Sequence, residues 1–240
     1  MTFDPKSIRA LAFDLQGTAV NFYTPVMRMG EILNRAKGLS IDWAALSTAW
    51  RALYREGMDE VISGRRPWRP VEHIYRDALD LLLEGQDLAA AFSTEERDEI
   101  NTVWTRLDAW PDSVEGLTRL RANFTLAVLT NAGMASAISI VKHAGLPFDC
   151  VLSGALVKSF KPAAAVYELA TDSLGVAPAQ ILMVASHKYD LEAAREFGMR
   201  TAFVTRPLEF GPGGKVDVTP DPRFDLNALD FNDLARQLGV

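Results

Sequence analysis

The stretch IRALAFDLQGTAV, residues 8–20, decides the fold of this chain. Its first half is an apolar run with little polar alternation, which is typical of a strand buried on both faces of a parallel sheet. Asp14 ends the run, and Gly17 and Thr18 follow, where the backbone can turn sharply and a hydroxyl can hold a carboxylate oxygen. Open α/β sheets bind ligands at the carboxyl ends of their strands. Asp14 is therefore a candidate site residue, although this segment alone also fits an aspartate that only caps the next turn.

Composition narrows the class of protein. The chain has 240 residues, of which 48% are hydrophobic and 23% charged, and this length fits either one large α/β domain or a core with a smaller insertion. The net charge of −6 argues against nucleic acid as a partner. No apolar run approaches the roughly 20 residues that span a bilayer, and the first residues lack the apolar centre of a signal peptide. We therefore predict a cytoplasmic protein without a membrane partner. A single cysteine, Cys150, excludes an intramolecular disulfide.

The periodicity of the chain divides it into two parts. Residues 20–110 show helical spacing without a convincing strand, and a capping box at Ser93 and Glu96 begins the last predicted helix, which runs towards residue 110. From residue 111 strands and helices alternate, which implies a parallel sheet with right-handed crossovers. The predicted strands of this part cover residues 125–129, 150–157, 181–185 and 201–204.

We therefore predict an α/β fold with a Rossmann-like parallel-sheet core, formed by residues 1–19 and 111–240. Residues 20–110 are predicted to be an inserted, all-helical cap domain over the carboxyl edge of the sheet.

Polar residues follow four of the predicted strands. They are Asp14, then Thr130 with Asn131, then Lys161, and finally the segment SHKYD at 186–190. In this order and spacing the chain resembles the haloacid dehalogenase superfamily, whose four sequence motifs these positions match. The resemblance covers nearly the whole chain and includes the cap inserted after the first motif.

The details resemble the L-2-haloacid dehalogenase (type II) branch of that superfamily. The matching stretches are Trp50-Arg51, HAGL at 143–146, KPAAAVYELA at 161–170, SHKYDLEAAREFG at 186–198 and RPLEFGP at 206–212. Phosphatases of the superfamily have a second aspartate two residues after the first, and here that position is Gln16. They also hold Mg²⁺ with an acidic pair in the fourth motif, where this chain has Ser186 first. We predict no metal and no cofactor.

The resemblance implies a nucleophilic carboxylate. Asp14 is expected to attack C2 of a small 2-substituted carboxylic acid and form an ester, which water hydrolyses to the 2-hydroxy acid. Lys161 would keep Asp14 ionised, and Asp190 with help from His187 would activate the water. Arg51 from the cap would stabilise the departing anion.

The remaining predicted residues bind the substrate. Thr130 and the backbone N–H groups of Leu15 and Gln16 would hold its carboxylate, and Asn131 would assist Arg51 at the leaving group. Three further positions are Ser186; Tyr167, which could equally be a core residue; and Trp68, which lies in an arginine-rich loop and could close over a pocket. The family also implies a possible homodimer.

Gln16 leaves the identity of the leaving group undecided, because the dehalogenase branch usually has an aromatic residue at this position. One alternative is ring opening of L-azetidine-2-carboxylate, with Gln16 accepting a hydrogen bond from the ring nitrogen, although Arg51 would repel a protonated amine. A Mg²⁺-dependent phosphatase is a second alternative, and a non-catalytic small-molecule binder is a third.

Overall fold

A computed structural model describes residues 3–240. Their core is a six-stranded sheet in which all neighbouring strands are parallel, in the order β5-β4-β1-β6-β7-β8. Its strands are β1 (Ala10–Phe13), β4 (Thr125–Thr130), β5 (Cys150–Ser153), β6 (Ile181–Ala185), β7 (Arg200–Val204) and β8 (Leu226–Ala228). The short strands β2 (Val20–Asn21) and β3 (Asp108–Ala109) form a separate antiparallel ribbon.

Nine helices are found among the described residues. They are α1 (Tyr23–Lys37), α2 (Trp43–Ile62), α3 (Val71–Gly85), α4 (Thr94–Asn101), α5 (Ser113–Arg121), α6 (Met134–His143), α7 (Ala164–Leu174), α8 (Lys188–Phe197) and α9 (Phe231–Gln237). None of these helices is both long enough and apolar enough to cross a membrane. The parallel sheet with helices and a helical insertion confirms the predicted fold class.

Strand β1 lies at the centre of the sheet because all four of its residues are apolar and buried. It pairs with β4 on one side and β6 on the other, and Phe13 is level with Val128 and Val184. The three strands therefore end at the same edge of the sheet. This register brings the residues after each strand, including Asp14, to one place.

The inserted segment begins and ends at the ribbon, in which Val20 pairs with Ala109 and Asn21 with Asp108. Strands of two residues are too short to show periodicity, so the sequence did not predict them. We propose that residues 20–110 form the cap and that residues 1–19 and 111–240 form the core; Met1 and Thr2 lie outside the described residues.

Several element boundaries differ from the prediction. The strand expected over 150–157 ends at Ser153, whose hydroxyl accepts a hydrogen bond from the N–H of Ala155 at 3.1 Å and begins a 3-10 turn. The predicted capping box of Ser93 and Glu96 is confirmed. However, α4 ends at Asn101 and continues only as a 3-10 helix, so the predicted extension towards residue 110 is wrong. Strand β8 and helix α9 were not predicted.

Candidate active site

Asp14 lies directly after β1 with both carboxylate oxygens engaged. Oδ1 accepts a hydrogen bond from Lys161 Nζ at 2.9 Å, and Oδ2 accepts one from Thr18 Oγ1 at 2.7 Å. His187 Nδ1 is 3.1 Å from the same Oδ2. Burial would raise the pKa of Asp14, but the charge of Lys161 and the hydrogen bonds from His187 and Thr18 outweigh it. The pKa of Asp14 is therefore well below its ordinary value, and the carboxylate is ionised at neutral pH.

Lys161 bridges two carboxylates. Its Nζ also donates to Asp190 Oδ2 at 2.5 Å, while Tyr167 donates its hydroxyl to Asp190 Oδ1 at 2.7 Å. Burial would lower the pKa of Lys161, but Asp14 and Asp190 raise it above its ordinary value. Burial and the negative charge of Asp14 raise the pKa of Asp190, although Lys161 opposes them. The ammonium group thus holds Asp14 in a fixed position and supplies the positive charge beside it.

His187 lies between two acidic side chains. Its Nε2 is 2.8 Å from Glu209 Oε1, and its Nδ1 faces Asp14. Burial would lower the pKa of His187, but Glu209 and Asp14 raise it to about 10. The imidazole is therefore protonated at neutral pH and donates to both carboxylates.

Gly17 makes room for this pair. Its φ of +92° suits glycine, and a Cβ at this position would lie 2.5 Å from Glu209 Oε1. A side chain here would displace Glu209 from His187.

A small cavity borders Asp14. Its lining residues are Asp14, Gln16, Arg51, Tyr54, Thr130, Asn131, His187 and Tyr189. The centre of a water-sized sphere can move through only about 10 Å³ of it, which is room for about one water molecule. A larger cavity, of about 380 Å³, lies elsewhere, between α1, α4 and His143 of α6, and is lined by none of these groups.

Helix α2 brings Arg51 to this cavity from the cap. Arg51 Nη1 donates to the hydroxyl of Tyr75 at 2.6 Å, and its guanidinium lies 4.8 Å from the ring centre of Phe22 and 4.9 Å from that of Tyr54. On the same helix, Trp50 is fully buried and donates to the Tyr75 backbone oxygen. Arg51 is thus fixed by aromatic packing, and no carboxylate pairs with it among the described residues.

The last residue of β4, Thr130, and the residue after it, Asn131, also line the cavity. Thr130 Oγ1 accepts a hydrogen bond from the N–H of Ala132 at 3.1 Å, and Asn131 Oδ1 accepts one from the N–H of Lys161 at 2.7 Å. The amide nitrogen of Asn131 makes only long contacts, each of 3.4 Å, to Met58 Sδ and the Lys161 oxygen. Asn131 therefore fixes the Lys161 backbone through its oxygen, and its side chain lines the cavity.

The structure brings most of the predicted site residues together. Six of them line the cavity: Asp14, Gln16, Arg51, Thr130, Asn131 and His187. Lys161, Asp190 and Tyr167 form a fully buried layer beneath it. Ser186 lies 3.0 Å from Thr18 through their hydroxyls and reaches Asp14 only through Thr18.

The side chains of the two remaining predicted residues, Leu15 and Trp68, belong neither to the cavity lining nor to the groups around Asp14. Leu15 has a fully buried side chain, but within residues 3–240 its N–H and that of Gln16 have no hydrogen-bond partner. Trp68 is half-buried against the core, and its indole N–H has no partner in the described part of the chain.

Sequence reasoning missed four residues of the site. Glu209 belongs to the stretch RPLEFGP but carried no predicted role, and Tyr54, Tyr75 and Tyr189 were not singled out. Tyr54 follows Arg51 by three residues, about one helical turn, and Tyr189 precedes Asp190, so spacing could have indicated both. Glu209 and Tyr75 are brought in by long-range packing, for which the sequence has no local signal.

Comparison with known proteins identifies the family. The model of a family described as haloacid dehalogenase-like hydrolase matches residues 8–198. The chain belongs to the haloacid dehalogenase-like hydrolases. A relative in this family, (S)-2-haloacid dehalogenase 4A of Burkholderia cepacia, is 31% identical over 220 residues, which cover 86% of this chain and 89% of the relative.

Solved structures place the chain in the L-2-haloacid dehalogenase branch of this family. The L-2-haloacid dehalogenase PA0810 has 36% identity and a TM-score of 0.91, and the alignment covers 96% of this chain and 98% of that one. The defluorinating L-2-haloacid dehalogenase Rha0230 has 32% identity and a TM-score of 0.94 over 100% of both chains. The branch predicted from the motifs is therefore confirmed.

Proposed function

We propose that this hydrolase removes the halogen from small (S)-2-haloacids through an ester on Asp14. The observation that carries the proposal is the buried, ionised Asp14 carboxylate, held by Lys161 and facing a small cavity that Arg51 closes from the cap. The named activity of the relatives supports the same reaction.

In the first step a carboxylate oxygen of Asp14 attacks C2 of the substrate. A C–O bond forms, the carbon–halogen bond breaks, and the halide leaves with the electron pair. Arg51 and the amide nitrogen of Asn131 are assigned to the departing halide, because both line the cavity and carry N–H donors. Thr130 and the N–H groups of Leu15 and Gln16 are assigned to the substrate carboxylate.

In the second step water attacks the carbonyl carbon of the ester and releases the 2-hydroxy acid. Esterification removes the charge of Asp14, one of the two carboxylates that hold His187 protonated, so the pKa of His187 falls. Once the halide has left and water has entered, Nδ1 gives its proton to that water and can then accept a proton from the attacking water, while Glu209 fixes the ring through Nε2. Both oxygens of Asp190 accept hydrogen bonds, one from Lys161 and one from Tyr167. We therefore propose that Asp190 acts on the reaction through Lys161 and does not accept the proton of the water itself.

The size of the cavity supports small substrates. Space for about one water molecule does not hold a haloacid, so Arg51 and Tyr54 of the cap must move away for entry. We propose that closure over the substrate excludes solvent and favours chains of two or three carbons.

Ring opening of azetidine-2-carboxylate is not proposed. The oxygen of Gln16 accepts a hydrogen bond from Tyr75, and the cation Arg51 lines the same cavity, so neither group is suited to a ring ammonium. A homodimer and a cytoplasmic location remain sequence-based predictions.

The proposal is tested with (S)-2-chloropropionate and EDTA-treated protein. We expect stoichiometric chloride and 2-hydroxypropionate, and a transient mass increase on a peptide that contains Asp14. Asp14→Asn should form neither product nor adduct. Turnover of a phosphate ester with Mg²⁺ and no chloride from the haloacid would contradict the proposal.

A further inference from the structure

A chain of hydrogen bonds connects Arg51 of the cap to Gln16 of the core. Arg51 Nη1 donates to the hydroxyl oxygen of Tyr75 at 2.6 Å, and the Tyr75 hydroxyl donates to Gln16 Oε1 at 3.1 Å. This chain of three side chains is here called the Gln16 relay. It joins the two parts of the protein directly above the nucleophile.

The chemistry of the donors fixes the direction of the relay. A guanidinium has only N–H donors, so the Tyr75 oxygen accepts from Arg51. The atom of Gln16 within reach of the Tyr75 hydroxyl is Oε1, at 3.1 Å, and an amide oxygen can only accept, so Tyr75 donates its proton to Gln16. Burial is the main cause that raises the pKa of Tyr75 well above its ordinary value, which keeps that proton in place. The oxygen of the Gln16 amide, and not its nitrogen, therefore faces Tyr75.

Packing holds the middle of the relay rigidly. The Tyr75 ring stacks on Tyr54 at a centroid distance of 4.1 Å and an angle of 6°, and on Trp104 at 4.2 Å and 17°. Tyr75 is only 1% exposed. Its hydroxyl thus has one position, from which it can hold one orientation of the Gln16 amide.

The NH₂ group of Gln16 remains available to contact the substrate. Gln16 lines the cavity above Asp14, and its amide nitrogen has no hydrogen-bond partner among residues 3–240. It also borders a second small cavity, which Tyr75 and Trp104 line. Because the Gln16 oxygen is held by Tyr75, the NH₂ group is the part of the amide left to contact a ligand in the cavity of Asp14.

We propose that Tyr75 is a positioning residue that directs the NH₂ group of Gln16 at the departing halide. This inference rests on the proposed dehalogenase function. A hydrogen bond to an anion strengthens as the charge of the anion is more concentrated. The contribution of Gln16 is therefore greatest for fluoride, smaller for chloride and smallest for bromide, so this residue sets halide selectivity.

The test compares (S)-2-fluoro-, 2-chloro- and 2-bromopropionate in wild type, Gln16→Met, Tyr75→Phe and the double variant. Gln16→Met keeps the length of the side chain but removes its donor. We expect it to lower kcat/KM for the chloro substrate by roughly tenfold or more, as for loss of one hydrogen bond to a charged group, and for the bromo substrate clearly less. Tyr75→Phe should change the halide ratio in the same direction.

The double variant separates positioning from structure. Tyr75 also accepts a hydrogen bond from Arg51, so Tyr75→Phe acts on the halide through both Arg51 and Gln16. Only the part through Gln16 is lost in the Gln16→Met background, so Tyr75→Phe should change the halide ratio less there than in wild type. Trp104→Phe keeps an aromatic ring beside Tyr75 and keeps the Tyr75 hydroxyl, so it should leave the halide ratio unchanged, with folding checked by thermal melting.

The results distinguish this inference from the proposed function. Equal losses for chloride and bromide in Gln16→Met, or additive changes in the halide ratio in the double variant, would overturn the relay. Wild-type protein that releases no halide from any of the three substrates would overturn the dehalogenase function itself.

Discussion

At the scale of single residues, Lys161 determines the state of Asp14. Its ammonium lies within hydrogen-bond distance of Asp14 and Asp190, and its side chain is almost completely buried. Without this cation two buried carboxylates would share one site, and one of them would take up a proton. The nucleophile therefore depends on a charge from a different loop.

Lys161→Met is expected to abolish activity and weaken the fold. Removal of one partner of a buried ion pair leaves uncompensated charge, so we expect a loss of about 3–5 kcal/mol in the free energy of unfolding. Chloride release should fall by at least about a thousandfold. Lys142→Met makes the same change at an exposed position of α6 and should have no effect. Urea unfolding and chloride release measure both results; an active, equally stable Lys161→Met protein would contradict the assignment.

His187→Gln is expected to stop the reaction after the first step. Asp14 can still be alkylated, but no imidazole accepts the proton of the attacking water. Rapid mixing with (S)-2-chloropropionate should release about one chloride per enzyme, and the ester should persist in intact-mass spectra. His73→Gln, at an exposed position of α3, is the matched control. If His187→Gln showed steady turnover without accumulated ester, another group would be the base.

At the scale of elements, α3 fastens the cap to the core. Glu72 Oε1 of α3 accepts hydrogen bonds from the N–H of Gly133 at 2.9 Å and from Ser136 Oγ at 2.6 Å, at the N-terminus of α6. A carboxylate is favourable there because the first N–H groups of a helix lack partners and the helix dipole is positive at this end. The same helix carries Tyr75, so this contact holds the relay closed over the cavity.

Glu72→Ala is therefore expected to loosen closure. The cap should spend more time away from the core, which raises KM for (S)-2-chloropropionate by about threefold to tenfold, the equivalent of about 1 kcal/mol for the lost helix cap. Steady-state kinetics measure this effect. Glu84→Ala, an exposed position on the same helix, serves as the control and should leave KM unchanged. An unchanged KM in Glu72→Ala would show that this contact does not limit closure.

At the scale of the whole molecule, the site balances its charges although the chain as a whole is acidic. The site contains three carboxylates, Asp14, Asp190 and Glu209, and three cations: Lys161 and His187, which pair with them, and Arg51, which does not. The site therefore has no net negative charge, although the chain has a net charge of −6, and an anionic substrate is not repelled there.

The protonated His187 also predicts how stability depends on pH. Its pKa is about 10 in the folded protein against an ordinary value of 6.5. Its contribution is thus complete below pH 6.5 and is lost as the pH rises through about 10. As the pH rises from 7 to 9, the loss of this contribution should lower the free energy of unfolding by up to about 1.4 kcal/mol per pH unit. Urea unfolding should show that the free energy of unfolding of His187→Gln changes less with pH than that of wild type. Identical pH profiles for the two proteins would contradict a protonated His187.

The sequence by itself determined the parallel-sheet core, the helical insertion and the family. Buried strands are runs of apolar residues, and parallel strands must end at a common edge, so Asp14, Thr130, Asn131 and Lys161 could be assigned to one site from local pattern and order. The strands, the helical insertion and the order of the motifs can be read from the sequence because each depends on residues that are close together in the chain.

Only the tertiary structure decided which groups touch. Glu209 reaches His187 from a loop without regular structure, and Tyr75 reaches Gln16 across the boundary between α3 and the core. Such contacts join residues that are distant in sequence and have no periodicity, and the protonation of His187 follows from them. The sequence supplied the reactive residues, whereas packing determined their partners, charge states and orientation, because side-chain hydrogen bonds and electrostatic attraction depend on distance in space.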